Sequence, residues 1–121
     1  MSEVSEAELV VMDVLWEESP LSAATVADRV PAERNWSLGT VKTLLARLLS
    51  KRAVTHEQDG RRFLYRPALA REEYRGRASV RLVDRLFGGR VTPLVAHLAE
   101  RDRLSEADIA EIEALLRELK G

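Results

Sequence analysis

Trp36-Ser37-Leu38-Gly39-Thr40-Val41-Lys42-Thr43-Leu44-Leu45-Ala46-Arg47-Leu48 is the stretch that decides the fold, together with the turn Asp59-Gly60-Arg61-Arg62 behind it. At about 100° per residue, Val41, Leu44, Leu45 and Leu48 share one arc of a helix. Gly39, Thr43, Ala46, Arg47 and Ser50 share the opposite arc, with Thr40 at its edge and Lys42 on a flank. The first arc needs a core. The second has small residues at its centre, which let a helix axis approach base edges closely. Thr40 and Thr43 offer hydroxyls and methyls, and Lys42 and Arg47 can reach phosphates or guanine. Ser37 is a good N-cap. The pattern predicts a helix from Ser37 to about Arg52 that fits the major groove of double-stranded DNA.

The flanking segments supply the rest of a winged helix-turn-helix. Ser5-Glu6-Ala7-Glu8 is a capping box, and Leu9, Met12, Leu15 and Trp16 recur at helical spacing, with Trp16 assigned to the core. Ser19-Pro20 ends that helix, and Leu21 is extended. Ser22 caps a second helix through Val26 and Val30 that stops at Pro31, and Ala32 to Trp36 form a polar turn. Trp36 reads as a packing anchor rather than a base-stacking residue. Val54-Thr55-His56-Glu57-Gln58 and Arg62-Phe63-Leu64-Tyr65-Arg66 read as strands around Asp59-Gly60, a two-residue hairpin signal. Arg61 and Arg62 at the tip are placed to reach the DNA backbone or the adjacent minor groove.

Beyond the wing the chain reads as helical: Glu72 to Phe87, a break at Gly88-Gly89, a short helix near Pro93 to Glu100, and a last helix capped by Ser105. The expected organisation is mainly α with a small β-hairpin. Residues 1–70 form the winged helix-turn-helix and residues 71–121 a helical dimerisation region. Ile109, Ile112, Leu115, Leu116 and Leu119 line one stripe of the last helix, with Leu82 and Leu86 as apolar members of the long one. In a monomer such a stripe would cover only one small core, so it points to a homodimer and to paired half-sites on an inverted repeat, with folding back onto the winged domain as the alternative.

Composition sets the outer limits. The chain has 121 residues, 45% hydrophobic and 32% charged, as expected for a globular protein rather than a disordered one. The net charge of −1 conceals an asymmetry. Residues 1–33 hold one base against eight acids, net −7, whereas residues 34–66 hold eight bases against two acids, net +6. The basic block coincides with the helix and hairpin above, which is the local footprint nucleic acid requires. No long apolar run or basic leader is present, so the chain is expected to stay in the cytoplasm. The absence of cysteine rules out disulfides and thiolate metal sites, and no metal or cofactor is expected.

Thr40 to Leu48, the hairpin, Phe63-Leu64-Tyr65-Arg66-Pro67 and Arg71-Glu72-Glu73-Tyr74 resemble the BlaI/MecI/CopY family of bacterial transcriptional repressors. So do Glu8-Leu9 through Met12-Asp13-Val14-Leu15-Trp16 and Leu86-Phe87-Gly88-Gly89. The resemblance implies a winged-helix homodimer that blocks transcription from an operator. In the penicillinase-repressor branch it further implies a β-lactamase or resistance gene as target and a membrane sensor-protease as partner. The copper-responsive branch uses a C-terminal cysteine motif that this chain lacks. Penicillinase-type repressors are inactivated by cleavage at an Asn-Phe bond; His97-Leu98 stands at the matching place here, so either a protease of different preference cuts there or release uses another signal.

Other readings stay open beside this one. An enzyme is disfavoured, since the only histidines are His56, read as a hairpin residue, and His97, and no glycine-rich phosphate loop or HExxH pairing is present. A winged helix that binds protein, or one that senses a small molecule, remains compatible with the pattern.

Overall fold

The computed structural model describes residues 3–121. Helix α1 (Glu6–Glu17) begins at the Ser5 capping box: Ser5 Oγ accepts from the Glu8 backbone N–H at 3.1 Å, and Glu8 Oε1 accepts from the Ser5 N–H at 3.0 Å. Strand β1 (Leu21–Ser22) leads into α2 (Ala23–Arg29), whose N-cap is Ser22. Ala32–Arg34 form a 3-10 turn closed by Asn35 in the left-handed region, and α3 (Leu38–Ser50) follows its N-cap Ser37.

Strands β2 (Val54–Asp59) and β3 (Arg62–Pro67) form the wing, and β1 adds to β3, giving an antiparallel sheet in the order β1-β3-β2. The register places Asp59 opposite Arg62. The two central turn residues are therefore Gly60 and Arg61, not Asp59-Gly60 as the sequence pattern suggested. Gly60 has φ +66 and stands first in the turn, where glycine is favoured when only one central residue needs positive φ.

Helix α3 ends at Ser50, short of Arg52. The Arg52 N–H bonds to Leu49 O at 3.0 Å and the Ala53 N–H to Leu48 O at 2.9 Å, with Arg52 at φ 62. This is the paired arrangement that ordinarily uses glycine at the left-handed position.

One core serves the first compact unit, which extends to Tyr74. Val11, Met12 and Leu15 of α1, Val26 of α2 and Val41, Leu44, Leu45 and Leu48 of α3 are buried, with Ala53, Val54 and Leu69 closing the base. Each large side chain among them contributes about 1.5–3 kcal/mol of transfer free energy.

Trp16 stands at the edge of this core, half-buried rather than inside it. Its indole needs a hydrogen-bond acceptor, which it finds in Leu69 O at 2.8 Å. The Arg71 guanidinium lies 5.4 Å from its ring centroid and the Tyr74 ring 5.7 Å away, so Trp16 clamps the chain that leaves the wing.

Glu8 is the one buried carboxylate among the described residues, 2% exposed, and Lys51 Nζ meets its Oε1 at 2.6 Å. Burial alone would raise its pKa. The Lys51 hydrogen bond, the Ser5 N–H and the charges of Lys51 and Arg47 outweigh that effect and hold the carboxyl below its ordinary range. Lys51 also donates to Glu3 O at 2.7 Å, so the residue that caps α3 ties down the start of α1.

The second unit runs from Arg75 to Gly121. It contains the greater part of α4 (Arg71–Phe87), then α5 (Thr92–Glu100) and α6 (Glu106–Lys120). Gly88 and Gly89, at φ +59 and +89, end α4, and a second capping box at Ser105 and Asp108 starts α6. Phe87 stacks on His97 with ring centroids 5.7 Å apart. No residue of these three helices is buried. No helix among the described residues is long and apolar enough to cross a membrane.

Candidate nucleic-acid interface

Helix α3 divides cleanly between core and solvent. Val41, Leu44, Leu45 and Leu48 are buried, while Ser37, Gly39, Thr40, Lys42, Thr43, Ala46, Arg47 and Ser50 are exposed, as are Arg61 and Arg62. The buried arc fixes how the helix is rotated, and that rotation turns the small and basic residues outward.

Gly39 has no internal packing reason to be glycine: an added Cβ would meet only Ser37 Oγ, at 3.7 Å. A glycine costs a helix about 0.5–1 kcal/mol relative to alanine. Its effect here is to keep the outward surface low.

Some of the polar groups are partly committed. Thr43 Oγ1 donates to Gly39 O at 3.0 Å, which leaves its lone pairs and methyl facing out. Thr40 Oγ1 shares a hydrogen bond with Ser37 Oγ at 3.1 Å, and Ser37 Oγ also accepts from the Thr40 N–H. Arg62 is held by Asp59, with Nη2 to Oδ2 at 3.1 Å. Lys42, Arg47 and Arg61 form no ion pair among the described residues, so their charges are available to a partner.

The wing and α3 enclose a cleft of about 440 Å³ lined by Ser22, Leu38, Lys42, Arg61, Arg62 and Phe63, among others. Two of these, Leu38 and Phe63, are each 42% exposed and were not singled out by sequence. A leucine at the first helical position reads as the end of the apolar stripe, and a phenylalanine in a strand reads as core. On β2, His56 stacks on Phe63 at 4.5 Å and tilts against Tyr65 at 5.4 Å, forming an aromatic face on the wing. Trp36 is half-buried against the core, with the Arg34 guanidinium over its ring.

The remaining predicted positions lie in the second unit. Leu82 and Ile112 are half-buried, whereas Leu86, Ile109, Leu115, Leu116 and Leu119 are exposed, Leu119 to 83%. His97-Leu98 lies within the unbroken helix α5.

A helix with a buried apolar arc and a low basic face, set beside a two-stranded wing with a free arginine at its tip, defines a winged-helix DNA-binding domain. Residues 4–118 match the penicillinase repressor family. Over 119 residues the chain is 33% identical to the penicillinase repressor of Bacillus licheniformis, covering 98% of this chain and 93% of that one. It is 27% identical over 114 residues to the methicillin resistance regulatory protein MecI of Mammaliicoccus sciuri, covering 94% and 93%. Among solved structures, monomeric BlaI of Bacillus licheniformis in complex with the blaP half-operator aligns with a TM-score of 0.52 at 36% identity, over 60% of this chain and 89% of that one. The chain belongs to the penicillinase repressor family, whose members are DNA-binding winged-helix transcription regulators and not enzymes.

Proposed function

We propose that two copies of this chain bind an inverted-repeat operator and repress a β-lactamase or related resistance gene in the cytoplasm. The observation that carries the reading is the outward face of α3: Gly39 and Ala46 form a low centre, with unpaired Lys42 and Arg47 beside it and unpaired Arg61 on the wing. The BlaI monomer bound to a half-operator supports one subunit reading one half-site. The exposed Leu86, Ile109, Leu115, Leu116 and Leu119 support pairing through the second unit, because a surface this apolar calls for a cover.

Release then acts on the pairing. A second half-site held in the same dimer raises avidity by roughly 10²–10⁴ over a single contact. A membrane sensor-protease cutting near His97-Leu98 would abolish that gain without touching α3. Both residues lie inside α5, so cleavage requires local unwinding of that helix first.

Fluorescence anisotropy against the DNA upstream of the chain's own gene, at two salt concentrations, tests the reading. The expected result is competitor-resistant binding with two subunits per inverted repeat. Binding that is equally weak on every sequence and vanishes with salt would reduce α3 to a generic basic face.

A further inference from the structure

We propose that the pocket between α1 and the turn leading into α3 binds a small hydrophobic cation, an apolar or aromatic body with one fixed positive charge. Val10 and Val14, one turn apart on α1, form its apolar floor with Pro31. Asp13, Glu17, Glu33, Arg29 and Arg34 stand around that floor. Its volume of about 480 Å³ falls within the rough 300–1,000 Å³ range of small-molecule sites.

Charge decides the class of ligand. Of the two cations at the rim, Arg29 is ion-paired, its Nη1 2.6 Å from Glu18 Oε1, whereas Arg34 keeps its charge while its guanidinium lies 5.6 Å from the centroid of the Trp36 ring. Of the carboxylates, Glu17 is engaged by Arg71 at 3.0 Å. Asp13 and Glu33 form no ion pair among the described residues. The unpaired groups at the rim, Asp13 and Glu33 against Arg34, leave it net negative, in a segment whose first 33 residues carry net −7. An anion meets two free carboxylates there, and a neutral ligand leaves them without a counter-charge. A hydrophobic cation gains from burying its body on Val10, Val14 and Pro31 and from facing both acids. None of the lining residues belongs to the DNA-facing set, so this site stands or falls independently of the operator reading.

The test is calorimetric titration of the full chain with tetraphenylphosphonium and with tetraphenylborate, two ions of the same shape and opposite charge. Saturable binding of the phosphonium is expected, with the borate at least about tenfold weaker, since only the sign of the charge differs. In the D13N/E33Q variant the phosphonium affinity should fall about 3- to 30-fold, the range for losing two partly solvated charge pairs. Both side chains are exposed, so the fold survives the exchange. Methyl NMR shifts on adding phosphonium should centre on Val10 and Val14. Equal affinity for the two ions, absence of saturable phosphonium binding, an unchanged double variant, or shifts centred on the leucines of α6 would each overturn the proposal.

Discussion

Residues up to Tyr74 and residues from Arg75 onward are built from similar helices and end in opposite states. In the first unit every helix buries an apolar arc against its neighbours, and the core residues of α1 and α3 are nearly sealed. In the second, no residue of α4, α5 or α6 is fully buried, and Leu86, Leu115, Leu116 and Leu119 stand half or more in solvent. The difference is not one of helix quality, since capping boxes start both α1 and α6. It teaches that a helix can be locally well specified while its apolar face finds no full cover within the single chain. The first unit has a buried core of its own, and the helices of the second have none.

The largest effect that would break this contrast is at Leu115, 58% exposed in the single chain. Leu115→Asp places an unpaired charge in the proposed seam. Sedimentation should then show one copy instead of two, with operator affinity lower by about 10²–10⁴. Unaltered association would mean that the exposed stripe is not the seam.

Next in size is a matched pair of truncations. Leu45→Ala, at a position with no solvent exposure, should cost about 2–5 kcal/mol in urea unfolding. Leu119→Ala, 83% exposed in the single chain, should cost under about 0.5 kcal/mol when made in the Leu115→Asp background, where the proposed seam is open. Similar costs at the two sites would erase the distinction between the units.

Within the first unit, Arg47→Ala should lower discrimination between operator and non-operator DNA by about 1–3 kcal/mol while leaving the melting temperature near wild type. Competition binding read beside a thermal melt separates the two.

Acid should act on the first unit through Glu8. Its folded-state pKa lies below the unfolded one, so its stabilisation is complete above the unfolded value of about 4.3 and is lost as pH falls through the lower folded value. Glu8→Gln should cost about 1–3 kcal/mol at neutral pH, as for a hydrogen bond to a buried charge. The deficit should shrink at pH 3 in paired denaturation curves, and a deficit independent of pH would remove the ion pair from the account.

Smallest is the wing. Arg61→Ala should reduce the salt dependence of DNA binding by about one phosphate contact. Arg62→Ala should do less, because Asp59 already holds that guanidinium.

The architecture was legible wherever local chemistry determines it. Ser5, Ser22, Ser37 and Ser105 mark four helix starts with their own side chains, and the period of Val41, Leu44, Leu45 and Leu48 fixes which face of α3 is hidden. What escaped depends on atoms distant in sequence or on an unusual residue at a special position. Arg52 ends α3 where glycine would have announced the stop. Trp16 owes its placement to Leu69 and Arg71, more than fifty positions away. The exposure of Leu38 and Phe63 beside Lys42 needed the wing folded against the helix. Nothing in the spacing of Glu8 showed that a capping glutamate would also be the buried partner of Lys51.

That pairing has a consequence for descent. Glu8 and Lys51 lie 43 positions apart, yet neither can be exchanged alone without stranding the other's charge at the edge of the core. In relatives of this chain the two positions should change together or not at all, and a lineage that replaces the pair must pass through a weakened intermediate. Two distant codons are thus inherited as one character, linking the first turn of the protein to the end of its recognition helix.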